Sequence, residues 1–149
     1  MQASSSSPDP AARWPHRLRV AEAIALMAIA KGLVAWVPFA FWRASLGEVV
    51  ERPAAMAGTP GPRLRSVVAA VRRAVARAPF PVKCLPQAMA LQWMLRRRGL
   101  GSVLTVGTLP KAGRGTLDDL HAWVTVAGRI CLGQSERGYV PVLHLSSCR

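Results

Sequence analysis

Two residues in this chain have the type and setting for nucleophilic catalysis: Cys84 and His121. Cys84 follows Pro79-Phe80-Pro81-Val82-Lys83 and opens a stretch, Cys84 to Arg98, that reads as a helix closed by Gly99. A thiol at the first position of a helix faces N–H groups without intrahelical partners and the positive end of the helix dipole. Both favour the thiolate, the form that attacks a carbonyl carbon, and Lys83 acts in the same sense. His121 heads a strand whose alternate residues are His121, Trp123, Thr125 and Ala127. An imidazole there, after a glycine-containing loop, is placed to meet a helix terminus and take the proton of a thiol. Each residue alone also has a plainer reading. A free Cys is commonly a small buried hydrophobe, and a lone His is commonly a hydrogen-bonded surface residue.

Metal chemistry fits less well. Cys84, Cys131 and Cys148 lack C-x-x-C spacing, and only His16, His121 and His144 are available to assist them. No metal site and no cofactor are expected on that basis. Three cysteines are also too few, and odd in number, for a disulfide framework. The opening Met1-Gln2-Ala3-Ser4-Ser5-Ser6-Ser7-Pro8-Asp9-Pro10 lacks the basic-then-apolar order of a secretory signal. A reducing, cytoplasmic setting is the expectation.

The elements that must position the pair follow from periodicity. Leu64, Val67, Val68, Val71 and Val75 fall at i, i+3, i+4, i+7 and i+11, one stripe of an amphipathic helix over 63–78. Pro86 lies in the first turn of the cysteine helix, where proline is tolerated. Beyond Gly99 the pattern alternates, predicting strands over 102–108, 121–127, 129–132 and 139–145. Ala127-Gly128 reads as a tight turn, and Pro141 suggests an edge position for the last strand. The long loop from Leu109 to Leu120, with Gly113 and Gly115, is placed to border a site. Upstream, residues 1–13 read as a disordered tail and 14–52 as an apolar helical region: one helix over 15–37 ended by Pro38, then a short helical piece from Phe39 to Val50. Residues 53–62 read as a linker and 63–149 as the core. The fold class is α+β, helices first and then an antiparallel sheet.

Composition narrows the partners. The chain has 149 residues, 20 Lys plus Arg against 7 Asp plus Glu, a formal charge of +13, and 51% hydrophobic residues. So apolar a chain is not a disordered one, and no internal period marks a repeat protein. From Arg52 to Leu117 there are twelve basic residues and no acidic one. No helix-turn-helix, zinc-finger or aromatic RNP pattern accompanies them, so nucleic acid is not the expected partner. Val20 to Trp42 is nearly all apolar but is interrupted by Glu22, Lys31, Gly32 and Pro38. Its uncharged stretch, Gly32 to Trp42, falls short of the roughly 20 residues that span a bilayer. A core or partner-facing helix is expected there, with weak membrane contact as the lesser alternative.

The run from Cys84-Leu85-Pro86-Gln87 to Arg98-Gly99, then Ser102-Val103-Leu104-Thr105-Val106-Gly107 and His121-Ala122-Trp123-Val124, resembles the lasso peptide leader peptidases. The likeness extends in order from about Leu64 to Leu145. It implies a papain- or transglutaminase-like core with the cysteine helix packed on an antiparallel sheet. The implied activity is a cysteine protease that cuts the leader from a ribosomally made precursor peptide. The implied partners are that peptide, a small leader-binding recognition protein and the ATP-dependent lasso cyclase. Some members fuse the leader-binding domain at the N-terminus; residues 15–50 here read only as helices, which implies a separate partner. The family triad is Cys-His-Asp, with Asp on the strand after the His strand. The matching stretch here, Arg129-Ile130-Cys131-Leu132-Gly133-Gln134-Ser135-Glu136, has no Asp. Gln134 is the expected third member, as an amide serves in papain-like sites, with Glu136 or Asp119 as alternatives. Another transglutaminase-like hydrolase or acyl transferase, or a basic nucleic-acid-binding module, are the competing readings.

Overall fold

In the computed structural model, which describes residues 10–54, 59–110 and 119–147, four helices and one sheet share a common core. The helices are α1 (Pro10–Trp36), α2 (Phe39–Leu46), α3 (Pro62–Arg77) and α4 (Cys84–Arg97); the strands are β1 (Glu48–Val50), β2 (Val103–Thr108), β3 (Leu120–Val126), β4 (Arg129–Leu132) and β5 (Val140–Ser146). The sheet is antiparallel throughout, in the order β1-β5-β2-β3-β4. This is the mixed helix and antiparallel-sheet class expected. The loop residues 111–118, with Gly113 and Gly115, lie outside the described residues, as do 1–9, 55–58 and Cys148.

Three local expectations change. The first helix starts at Pro10, so the stretch read as a tail is helical from there. Proline suits a helix start, and Ala11, Ala12 and Arg13 are good helix formers. The piece after Pro38 stops at Leu46, and Glu48–Val50 forms a three-residue strand against Ser146, Leu145 and His144. That strand makes β5 an inner strand, whereas Pro141 suggested an edge. β1 pairs only with 144–146, so at Pro141 the strand has a neighbour on one side alone, Gly107 of β2. A missing N–H costs nothing on the open side. The Ala127-Gly128 turn forms as expected, with φ of 50° and 74°. Two positive values match the twist of a two-residue hairpin.

α1 is part of the core. Val20, Ala23, Met27 and Ala30 are buried along one stripe and share a hydrophobic cluster with α3, α4 and the sheet. The polar residues that interrupt its apolar run tie it down. Glu22 accepts from Arg98 at 2.6 Å and pairs with Arg97 at 3.1 Å. Arg19 donates to Ser66 Oγ at 2.6 Å. Lys31 lies 5.3 Å from the Phe80 ring centroid, a cation–π contact that holds the break before α4. The opposite face leaves Leu18, Ile29 and Trp36 exposed. Among the described residues, no helix is long and apolar enough to cross a membrane.

The basic run at the end of α4 is spent internally. Besides the pairs to Glu22, Arg96 donates to the carbonyls of Ala44 at 3.2 Å and Ser45 at 2.7 Å. At the centre, Gln92 is fully buried. Its Nε2 donates to Leu46 O at 3.0 Å and Leu145 O at 2.9 Å, and its Oε1 accepts from Ser102 Oγ at 2.6 Å. One amide therefore joins α4 to the end of α2, the start of β2 and β5. Gln92→Leu keeps the volume but removes the side-chain donor from two carbonyls and one of the two partners of the Ser102 hydroxyl, whose other is Ser147 Oγ at 3.1 Å. We expect a loss of about 3 kcal/mol in urea unfolding with the m-value unchanged. A loss below about 1 kcal/mol would contradict the linking role.

Candidate active site

The proline pair Pro79 and Pro81 ends the preceding segment, and Lys83 adopts an extended conformation (φ −74°, ψ 167°) before the chain enters α4. The first intrahelical bond runs from Gln87 N to Lys83 O at 3.3 Å. Pro86 has no N–H, so the Cys84 and Leu85 N–H groups are the free donors of this helix start. The Gln87 side chain donates back to Val82 O at 2.9 Å and stiffens the turn. Cys84 is half-buried, and its Sγ lies 3.9 Å from the carbonyl oxygen of Leu120, the residue before His121.

β3 alternates. Ala122 and Val124 are buried in the core cluster, while His121 and Trp123 take the intervening positions. His121 Nε2 lies 2.6 Å from the carbonyl oxygen of Gly133. A carbonyl only accepts, so Nε2 carries the proton and Nδ1 keeps its lone pair. Tyr139 stacks on the imidazole with centroids 4.8 Å apart at 24°, and Trp123 lies at 6.1 Å and 27°. A cavity of about 120 Å³ beside them is lined by His121, Trp123, Ile130, Gly133, Ser135, Arg137 and Tyr139. Gly133 is suited to its place. Its φ is 83°, and a Cβ there would stand 2.5 Å from Ala122 O.

The structure thus brings Cys84 and His121 to the same end of β3 through Leu120. No hydrogen bond joins them: the thiol meets the Leu120 carbonyl, and the imidazole meets that of Gly133. Gln134 and Glu136 are exposed, and among the described residues neither side chain makes a hydrogen bond. Asp119 is half-buried just ahead of β3, where its carbonyl accepts from Leu109 N at 3.3 Å. The partner of His121 is the main chain beside Gln134, not the Gln134 side chain. A main-chain acceptor has no side chain to announce it, so Gly133 does not stand out as a site residue in the sequence. Tyr139 likewise reads only as the start of a strand, and His144, for which the sequence suggests no partner, has its Nδ1 3.0 Å from Thr105 Oγ1. Burial pushes the Cys131 thiol up, partly offset by its backbone hydrogen bond and by Arg72. Among the described residues, no three His, Cys, Asp or Glu stand together as metal ligands.

A profile of the transglutaminase-like superfamily matches residues 33–144, and the chain belongs to that superfamily. The match runs from the last turn of α1 into β5, so Cys84 and His121 both lie within it. Its members are typically cysteine hydrolases and transferases. No curated protein and no solved structure matches the chain.

Two outcomes are expected. Long-range proton–nitrogen correlation spectra of neutral His121 show the proton on Nε2; the Nδ1-protonated tautomer would contradict the Gly133 contact. Iodoacetamide near pH 7 modifies Cys84 ahead of Cys131, whose raised thiol gains reactivity only as the pH climbs. Faster modification of Cys131, read by peptide mass spectrometry, would count against this ordering.

Proposed function

We propose that this protein is a cysteine peptidase that removes the leader from a ribosomally made lasso precursor peptide, working with a separate leader-binding protein. The observation that carries the chemistry is Cys84 at the start of α4, next to the β3 end where His121 is held by the Gly133 carbonyl. In this reading Nδ1 of His121 takes the thiol proton and the thiolate attacks the scissile carbonyl. Catalytic hydrogen bonds are often long in a free enzyme and tighten with substrate in place. The free N–H groups of Cys84 and Leu85 point at where negative charge develops on the carbonyl oxygen. His121 then returns the proton to the departing amine, leaving a thioester on Cys84. Water, activated by the same nitrogen, releases the acid and restores the thiol.

The third place in the triad is given to the Gly133 carbonyl. It fixes the tautomer and ring direction, the part that a carboxylate or amide plays elsewhere. It supplies no charge to an imidazolium, so the pair acts as a dyad. The chain sequence around Cys84 and His121 supports the lasso assignment, and the ATP-dependent cyclase is the proposed consumer of the freed peptide. If an amine replaces water in the last step, the same site acts as an acyl transferase.

The test is to incubate precursor peptide and leader-binding protein with wild type, Cys84→Ala, His121→Ala and Gln134→Ala, following leader release by mass spectrometry. Cys84→Ala and His121→Ala should each lose about a thousandfold or more. Gln134→Ala should stay within about threefold, since its side chain touches nothing in the site. Cleavage that survives Cys84→Ala would sink the mechanism.

A further inference from the structure

Beside the site runs a groove of about 720 Å³ between α3 and β4. Its walls carry Leu64, Val68 and Ile130, with three guanidinium groups, Arg65, Arg72 and Arg73. Ile130 also lines the cavity at His121, so the two spaces share a wall. β4 is an outermost strand of the sheet. Ile130 and Leu132 pair with β3, and the Cys131 carbonyl between them is taken by Arg72 Nη2 at 3.0 Å. Ile130 is 46% exposed, an apolar side chain unspent at a sheet edge. Arg65 and Arg73 are exposed, and neither has a hydrogen-bond or ion-pair partner among the described residues.

We propose that this groove is a second subsite for the peptide substrate, taking an extended segment that carries carboxylates among apolar residues. The inference rests on the peptidase reading and adds to it a class of sequence away from the scissile bond. Charge complementarity selects the occupant. No acidic residue lies between Arg52 and Leu117, so nothing on α3 or α4 neutralises the free arginines of the groove. Arg65 and Arg73 are eight residues apart on one helix, about 12 Å along its axis. An extended peptide covers that distance in about four residues, which returns its side chains to the same side. Carboxylates four apart therefore meet both arginines, while the residue midway between them, on the same side, rests on Leu64, Val68 and Ile130. Nucleic acid is the poorer fit, because the lining has no aromatic side chain on which a base would stack.

The probe is the fluorescein-labelled nonapeptide Glu-Ser-Val-Ser-Glu-Ser-Leu-Ser-Glu, whose carboxylates and apolar residues share one face when extended, titrated by anisotropy into Cys84→Ala protein so that nothing is turned over. Arg65→Gln/Arg73→Gln on that background should weaken binding at least tenfold. Arg43→Gln/Arg52→Gln removes the same charge near the opposite end of the sheet and should stay within twofold. The bound peptide should also slow alkylation of Cys131, which lines the groove. Equal loss in both double variants, or unprotected Cys131, overturns the inference. So does a nine-nucleotide single-stranded DNA that displaces the peptide at equal concentration. Binding is read without cleavage, so a failed leader-release assay leaves this result standing, and a working one does not rescue a failed titration.

Discussion

The side-chain amide of Gln92 lies fully buried where α4, the end of α2, β2 and β5 meet, and it satisfies groups from each. Buried carbonyls demand a donor, and here a single residue supplies it to two of them. Cys84 sits two turns earlier on the same helix, and β2 is the immediate neighbour of β3, which starts at the His121 end. The position of thiol relative to imidazole is thus referred to one hydrogen-bonded centre rather than to loops. Met89, Leu91 and Leu95 bury α4 in the common core, but apolar packing does not by itself fix how the helix slides along its neighbours.

The N-terminal helix serves the same end. α1 covers α3 and α4 with a stripe of small and apolar residues, and Glu22 receives the arginines at the far end of the cysteine helix. A charge that would be costly in a bilayer is here a partner for two cations. The positive balance of the chain therefore divides in two. Arg96, Arg97 and Arg98 are bound within the fold, whereas Arg65 and Arg73 on α3 face outward next to the site.

Much of this architecture was legible from residue types. The proline bracket before Cys84, the stripe on α3 and the alternation after Gly99 each encode a local geometry, and the corresponding elements form. What was not legible is of two kinds. β1 is three residues long, too short to show alternation, and it exists because β5 offers an edge to pair with. The role of Gln92 depends on three segments distant in sequence, so nothing within its helix marks it as buried. The contact to His121 is subtler still. The stretch offers Gln134 and Glu136 as side chains for the imidazole, yet the group that meets it is the main chain of Gly133. The left-handed backbone there suits glycine alone, so the mark in the sequence is the glycine and not a polar side chain.

The dependence of Cys84 on His121 is most directly read in the rate at which iodoacetamide alkylates Cys84 near pH 7, compared between wild type and His121→Ala. A thiol that hands its proton to Nδ1 should react at least tenfold more slowly once the imidazole is gone. Equal rates in the two proteins would contradict a Cys84–His121 pair and with it the peptidase mechanism.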